Sequence, residues 1–337
     1  MNSKRILITG ASGFIGSFLV EQALYKNYQV WAGVRNSSSR EYLKDKRIQF
    51  IELNFGDKKK LKEQLNEFIT QSGEFDYVIH NAGVTKCLNP EDFDKINFQY
   101  TANLIDVLQE INAIPEKFVL MSSLSAYGTG DETNYAPIKL TDTPNPNTAY
   151  GRSKLKAEQY LQSTKDFPYI ILRPTGVYGP REKDYFMMIK TVKSGLDISA
   201  GFKPQHLTFI YVRDLTDIAF IGLESTISNR AYFVADGDVY TDKEYTQLIK
   251  EIIGKKHVLN IKVPLWLLKT VSVIAESISL LTKKPSTLNR DKYRIMKQRN
   301  WECDIRPLVN DLNFSAKYNL KKGLEESVQW YKDNKWM

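Results

Sequence analysis

The chain has 337 residues, 42% hydrophobic and 26% charged, and these ordinary values exclude a disordered or a collagen-like protein. Its only cysteines, Cys87 and Cys303, lie far apart and exclude a disulfide framework and a zinc cluster, and with three histidines we expect no metal site. The net charge of +8 comes from scattered residues without an arginine-rich arm, so we expect a small-molecule ligand and no nucleic acid.

The first 130 residues alternate β-branched runs with amphipathic stretches of helical length. Strands are predicted at residues 6–9, 30–34, 48–53, 77–80 and 118–121. Helices are predicted at residues 14–25, 58–70 and 97–110. This alternation is typical of right-handed βαβ units, so we predict an α/β fold with a doubly wound parallel sheet. The apolar stretch 6–8 is too short for a signal peptide, and we expect a cytoplasmic protein.

A glycine-rich turn, residues 9–16, follows the first predicted strand and opens the first helix. Gly10 permits the tight turn, Gly13 lets the backbone approach a pyrophosphate, and Gly16 allows close contact between helix and strand. The free N–H groups and the positive dipole at the start of the helix favour phosphate. We therefore predict a Rossmann-type dinucleotide site that includes Gly10, Ser12, Gly13, Phe14, Ile15 and Gly16.

The end of the second predicted strand carries the signal for the type of cofactor. NAD-binding proteins usually have an acidic residue there, which binds the ribose 2′-hydroxyl. This chain has Arg35 instead, followed by hydroxyl residues and Arg40. A guanidinium attracts a 2′-phosphate that a carboxylate would repel, so we predict NADP(H), with NAD(H) as the alternative. The plainer interpretation of Arg35 is a solvated basic turn.

Ser123, Tyr150 and Lys154 are the candidate catalytic residues. Tyr150 and Lys154 are four residues apart and share one face of a predicted helix. We expect the lysine ammonium to lower the pKa of the tyrosine from its ordinary value near 10, which would suit proton transfer. Ser123 follows the fifth predicted strand, at the sheet edge where ligands bind. Alone, a Tyr-x-x-x-Lys pair is usually a surface pair.

In combination, these motifs make the chain resemble an extended short-chain dehydrogenase/reductase of the NAD-dependent epimerase/dehydratase group. The matching segments, in family order, are residues 9–16, 80–83, 122–128, 150–154, 173–180 and 211–214, with Asn97 among them. The resemblance implies that Ser123, Tyr150 and Lys154 form the catalytic triad and that Lys154 binds the nicotinamide ribose. It implies further cofactor contacts by Asn54, Phe55, Asn81, Ala82, Gly83, Tyr150, Arg173, Pro174 and Val177. It also implies a homodimer.

Two positions depart from the family pattern or stay open. Asn54 stands where relatives usually carry an aspartate near the adenine. Asn97 is either a structural residue at a helix start or a member of a proton relay.

The residues after Ser123 indicate which reactions of this family are expected here. Sugar dehydratases of this family place Asp-Glu directly after the catalytic hydroxyl residue, whereas Leu124 and Ser125 follow it here. Dehydration is therefore not expected. Arg35 argues against an epimerase that holds NAD tightly and favours a reductase that exchanges NADP(H), as in the dihydroflavonol reductase and 3β-hydroxysteroid dehydrogenase branch.

Beyond Pro174 the pattern becomes less regular, and strand-like 207–212 and helix-like 214–223 are predicted to return to the main sheet. We therefore predict a cofactor domain of residues 1–175 with 206–235, and a smaller, discontinuous C-terminal substrate lobe of residues 176–205 and 236–337.

Residues 263–282 carry Lys269, Ser272, Glu276 and Ser279 at helical spacing, which predicts an amphipathic helix and no transmembrane span. Packing of its apolar face on the lobe is the ordinary role. Roofing a pocket and contacting a membrane surface remain alternatives.

We predict an NADP(H)-dependent oxidoreductase that transfers a hydride between nicotinamide and a secondary alcohol or ketone, with a steroid- or lipid-like substrate. Predicted substrate contacts are Ser125, Tyr178, Phe186, Met187 and Arg213. The alternative is a nucleotide-sugar epimerase or 4-ketoreductase, for which Arg181, Lys183 and Arg213 would bind the diphosphate. A non-enzymatic dinucleotide sensor is a third hypothesis, and the intact triad counts against it.

Overall fold

The computed structural model describes residues 3–283, 286 and 288–337. Its strands are β1 Arg5–Thr9, β2 Gln29–Val34, β3 Gln49–Glu52, β4 Tyr77–His80, β5 Lys117–Met121, β6 Tyr169–Pro174, β7 Gly176–Tyr178, β8 Leu196–Ala200, β9 His206–Leu207, β10 Phe209–Tyr211, β11 Arg230–Val234, β12 Tyr240–Thr241 and β13 Leu259–Val263. Seven of them form a parallel sheet in the order β11-β6-β5-β4-β1-β2-β3. The order reverses direction at β1, so the carboxyl ends of β1 and β4 border the crevice where such sheets bind ligands.

The helices are α1 Phe14–Tyr25, α2 Lys58–Ser72, α3 Glu91–Phe93, α4 Tyr100–Glu110, α5 Ala149–Ser163, α6 Lys183–Lys193, α7 Val212–Glu224, α8 Asp242–Ile253, α9 Leu265–Thr282, α10 Arg290–Lys297, α11 Arg306–Leu312 and α12 Leu320–Asp333. A π-helical segment, Asp94–Gln99, joins α3 to α4. Asn97 lies inside this continuous helix and is buried, so its interpretation as a helix-start residue is wrong.

Two apolar layers cover the sheet, because alternate residues of each strand point to opposite faces. Ile6 and Ile8 of β1 pack with helices α1 and α7, whereas Leu7 packs with α2 and α4. The Rossmann-type doubly wound fold is thereby confirmed.

The second half of the chain differs from the prediction in two segments. β10 pairs with β7 in a separate two-stranded sheet, so the predicted return of residues 207–212 to the main sheet is wrong. Helix α7 and strand β11 do return to it. Helix α11 also packs on the main sheet, through Leu308 and Leu312, although we assigned residues 236–337 to the substrate lobe. Both segments are held by contacts distant in sequence, which local patterns do not reveal.

Helix α9 differs in part from our prediction. Ser272 and Ser279 of the predicted polar stripe are buried, whereas Lys269 is exposed, and the apolar Val271 and Ile278 are exposed as well. Within the described residues, α9 is the one helix long and apolar enough to cross a membrane by length and composition, which is weak evidence alone.

Candidate active site

The glycine turn between β1 and α1 is shaped by close backbone contacts. Gly10 has a φ of +65°, and a Cβ atom there would lie 2.8 Å from the backbone nitrogen of Ala82. A Cβ atom on Gly16 would lie 2.1 Å from the Gly10 carbonyl oxygen. No side chain caps the first turn of α1 and no acidic residue occurs there, so its N–H groups remain available to an anion. This turn fits the pyrophosphate of a dinucleotide.

The loop after β4 lies against this turn. The Ala82 N–H donates to Thr9 Oγ1 over 3.1 Å, and Asn81 Nδ2 contacts the Gly10 carbonyl oxygen at 3.5 Å. A Cβ atom on Gly83 would lie 3.3 Å from Lys154 Nζ and 2.9 Å from Asn97 Oδ1. The structure thus brings residues 81–83 between the glycine turn and Lys154.

His80 and Asn97 secure the surrounding backbone. Burial lowers the pKa of His80 to about 3, and its neutral ring bonds Thr9 Oγ1 and Thr101 Oγ1 at 2.9 and 3.0 Å. Asn97 Nδ2 donates to the Val84 carbonyl and to Ser153 Oγ, and Asn97 Oδ1 accepts from the Val84 N–H. Asn97 therefore has a structural role in fixing the loop beside Lys154.

Arg35 stands exposed just beyond β2, with its backbone N–H donating to Ser38 Oγ. In residues 3–283, 286 and 288–337 no carboxylate pairs with its guanidinium. Arg40 stacks over the Phe50 ring at 4.2 Å. An unpaired guanidinium at this position is suited to bind a phosphate.

Asn54 and Phe55 follow β3. Asn54 Oδ1 accepts from the Gly56 N–H, and the Phe55 carbonyl accepts from Asn103 Nδ2. The Asn54 side-chain oxygen is thus used in a local turn, and the Phe55 ring packs edge-on against His80.

Ser123, Tyr150 and Lys154 come together where β5 ends. Tyr150 lies at the start of α5, near enough to Ser123 for the serine to influence the pKa of its hydroxyl, and Lys154 Nζ donates to the Met121 carbonyl oxygen over 2.8 Å. A Cβ atom on Gly151 would lie 2.2 Å from the Ser125 carbonyl oxygen. The glycine next to Tyr150 therefore allows α5 to approach the turn that carries Ser123.

Burial sets the protonation of the tyrosine and the lysine. It raises the pKa of Tyr150 to about 12, although the hydrogen bond from Ser123 acts in the opposite direction. It lowers the pKa of Lys154 to about 8, although the Glu158 carboxylate opposes this. Our expectation that the tyrosine pKa falls below 10 differs from this result, because desolvation of the phenolate dominates. At neutral pH Tyr150 is a phenol that can donate a proton.

A buried ion pair lies beneath these residues. Arg173 Nε and Nη2 donate to Glu158 Oε2 over 3.0 and 2.7 Å, and the Ser122 hydroxyl donates to the other carboxylate oxygen. The guanidinium also stacks on the Tyr127 ring at 4.6 Å. We predicted a cofactor contact for Arg173, and in the structure Glu158 holds its guanidinium inside the protein. Pro174 is buried at the end of β6, and Val177 is half-buried.

The predicted substrate residues do not converge. Tyr178 is buried in the core of the lobe, where its hydroxyl donates to the Asn319 carbonyl, so its prediction as a substrate contact is wrong. Phe186 packs against Tyr331 and Trp336 in the same core. Met187 is exposed on α6, and Ser125 is half-buried beside the catalytic turn.

Arg181 and Arg213, predicted for a diphosphate, both lie over the Phe18 ring of α1, at 4.3 and 5.4 Å from its centroid. Arg181 pairs with Glu21, and Arg213 with Glu326. Each positive charge is therefore already balanced by a carboxylate. Lys183 is exposed at the start of α6.

Sequence reasoning missed three residues that shape the site. Gly151 and Glu158 had a local signal, since one adjoins Tyr150 and the other follows Lys154 by one helical turn. Asp291 had none, because its carboxylate reaches across 142 positions to accept the Ala149 N–H at the start of α5, over 2.8 Å.

A parallel Rossmann sheet with a serine, a tyrosine and a lysine at its carboxyl edge defines a class of nicotinamide-dependent enzymes. The model of the NAD dependent epimerase/dehydratase family matches residues 6–235, and the chain belongs to that family.

Similar proteins differ in the substrates their names give. A putative UDP-glucose 4-epimerase of Methanocaldococcus jannaschii is 26% identical, with 98% of this chain and 99% of the relative aligned. A ceramide reductase of Caulobacter vibrioides is 22% identical, with 98% and 96% aligned. A crystal structure of Bacillus anthracis dTDP-glucose 4,6-dehydratase with NAD superposes with a TM-score of 0.76 at 20% identity, covering 99% of this chain and 98% of that one.

Proposed function

We propose that this enzyme is an NADP(H)-dependent oxidoreductase that interconverts a secondary alcohol and a ketone on an apolar substrate. The observation that carries the proposal is the meeting of Ser123, Tyr150 and Lys154 at the end of β5. A phenol, a second hydroxyl and a buried ammonium at one sheet edge are suited to proton transfer at a carbonyl oxygen.

The residues around the glycine turn would hold the cofactor. The first turn of α1 would bind the pyrophosphate, Lys154 the nicotinamide ribose, and Arg35 the 2′-phosphate. When bound, the nicotinamide supplies or accepts the hydride. The exposed, unpaired guanidinium of Arg35 supports NADP(H), whereas the Bacillus anthracis structure was determined with NAD.

Tyr150 and Ser123 would act on the substrate oxygen. The Ser123 hydroxyl donates a hydrogen bond that orients the carbonyl, and the Tyr150 hydroxyl gives its proton as the alkoxide forms. Because the pKa of Tyr150 is raised to about 12, the donor form is present throughout the neutral range, which favours reduction. Lys154 would stabilise the phenolate that remains.

Two observations favour an apolar ketone as the substrate. Leu124 follows the catalytic serine and is buried, so that position offers no acid for dehydration. Arg181 and Arg213 are paired with glutamates, which weakens their attraction for a diphosphate. The second candidate is a nucleotide-sugar 4-ketoreductase or epimerase, favoured by the convergence of the same two arginines on Phe18.

Substitution Tyr150→Phe tests the proposal. It removes the proton donor and keeps the ring, so turnover should fall by at least about a hundredfold, the lower range for general acid–base catalysis. NADPH oxidation is followed by absorbance with a panel of long-chain ketones, steroid ketones and nucleotide 4-ketosugars. Tyr160→Phe, on the same helix and outside the site, is the matched control and should leave turnover unchanged. Near-normal turnover of Tyr150→Phe on the substrate found would refute the mechanism.

A further inference from the structure

The face of α9 directed away from the protein is its most apolar face. Its exposed stripe, which we call the outer stripe, follows the i, i+4, i+7, i+11, i+14 spacing of one helical face and comprises Leu267, Val271, Ile274, Ile278 and Leu281. The opposite face, which packs on the protein, contains Leu268 with Ser272 and Ser279. A helix that turns serines inward and isoleucines outward has an apolar surface left for another occupant.

Large apolar side chains extend this surface beyond the stripe. Trp266 is 71% exposed at the start of α9, and Leu281 is 84% exposed at its end. Phe202 is 67% exposed and lies next to Gly201, which contacts Leu265 of the same helix. We call these exposed side chains and the outer stripe the apolar ridge, which runs along the 18 residues of α9, about 27 Å.

The segment of the sequence that carries the ridge is rich in basic residues. Residues 262–297 contain eight basic and two acidic residues, a net charge of +6 within a chain of net charge +8. Both acidic residues are already paired, Glu276 with Arg290 and Asp291 with Arg294. An apolar stripe flanked by lysine and arginine, with a tryptophan at one end, is typical of helices that lie in the interface of an anionic membrane.

We propose that α9 docks on an anionic lipid bilayer, with its axis in the membrane plane and the outer stripe inserted among the lipid headgroups. A flat orientation is favoured because α9 contains the charged Lys269 in its second turn and Glu276, which is tied to Arg290 of α10. The following helix also reaches the catalytic helix, since Asp291 of α10 accepts the Ala149 N–H directly before Tyr150. If the proposed function holds, a membrane-resident ketone would enter from this side.

Vesicle flotation with the full-length protein tests the docking. Vesicles of phosphatidylcholine with roughly a third phosphatidylglycerol should bind the protein, phosphatidylcholine alone should bind it more weakly, and added salt should reduce the binding. The double variant Ile274→Gln, Ile278→Gln should bind the anionic vesicles at least about tenfold more weakly, because inserting one isoleucine already accounts for about a decade of affinity. Ile221→Gln with Val309→Gln, exposed on other helices, is the matched control and should bind normally.

Other outcomes overturn the proposal. Absence of wild-type binding to anionic vesicles would refute docking, as would full binding by the α9 variant. A loss of dimer mass in light scattering for that variant, with vesicle binding unchanged, would assign the outer stripe to a second copy of the chain. The variants lie on the surface, and circular dichroism and NADPH affinity verify folding. The α9 variant should reduce a water-soluble ketone as fast as the wild type does. If the wild type binds vesicles but reduces no ketone, the proposed function is refuted and the docking proposal is not.

Discussion

Replacing Glu158 by glutamine probes the ion pair beneath the proposed catalytic residues. The variant keeps the shape of the side chain and removes the charge that faces Arg173, whose guanidinium is almost fully buried. Breaking a buried pair in this way costs about 3–5 kcal/mol, because the remaining charge has no counter-ion. Stacking of the guanidinium on Tyr127, worth about 2 kcal/mol at most, is already present in the wild type and therefore does not offset this cost. Since domains have about 5–15 kcal/mol of stability, the variant should still fold.

Urea unfolding followed by circular dichroism measures this loss as a lower midpoint at an unchanged slope.

The same variant should also lower the pKa of Lys154, because the Glu158 carboxylate raises that pKa in the wild type. The lysine charge in the wild type is lost as pH rises through about 8, so activity should decline above that pH. In Glu158→Gln this decline should begin at lower pH. Glu63→Gln, exposed on α2, should change stability by less than about 0.5 kcal/mol. A loss below about 1 kcal/mol in Glu158→Gln, or an unmoved pH profile, would refute the reasoning.

Two further substitutions test the cofactor and the catalytic geometry. Arg35→Asp should weaken NADPH binding by more than about tenfold, or about 1.4 kcal/mol, and improve NADH binding in calorimetry. The exposed Lys46→Asp serves as its control, and equal NADPH affinity in the Arg35 variant would show that the arginine faces solvent. Gly151→Ala should lower kcat by about a hundredfold, the effect of displacing a reacting group by about 1 Å, with NADPH affinity nearly unchanged. Unaltered kcat would show that the α5 contact with the Ser125 carbonyl is not needed.

The cofactor half of the molecule was predictable because its signals are local. Phe14–Tyr25 and Tyr77–His80 have the predicted bounds, since a glycine turn precedes the helix and the strand is a short apolar run between polar segments. The helix predicted to begin at Asn97 begins at Glu91, because Asn97 is a buried residue within it. Its amide fixes the loop after β4, which is a contact that spacing along the chain does not reveal.

The substrate side was less predictable because distant contacts decide it. Tyr178 lies within the matching segment 173–180, but it is buried where the lobe packs on α12, and its hydroxyl donates to the Asn319 carbonyl. The pattern of α9 predicts an amphipathic helix correctly and cannot say which face turns inward. Here Ser279 accepts the Ser286 N–H, so this serine faces the protein.

Net reduction of a ketone at the Ser123–Tyr150–Lys154 site can be followed by isotope transfer. The enzyme is given NADPH that carries deuterium on the transferred position of nicotinamide C4, with the ketone that supports turnover, and the products are analysed by mass spectrometry. We expect deuterium on the new carbinol carbon, NADP⁺ formed in equal amount, and almost no label with Tyr150→Phe. An isomerised substrate without net NADPH oxidation would contradict it and would identify an epimerase.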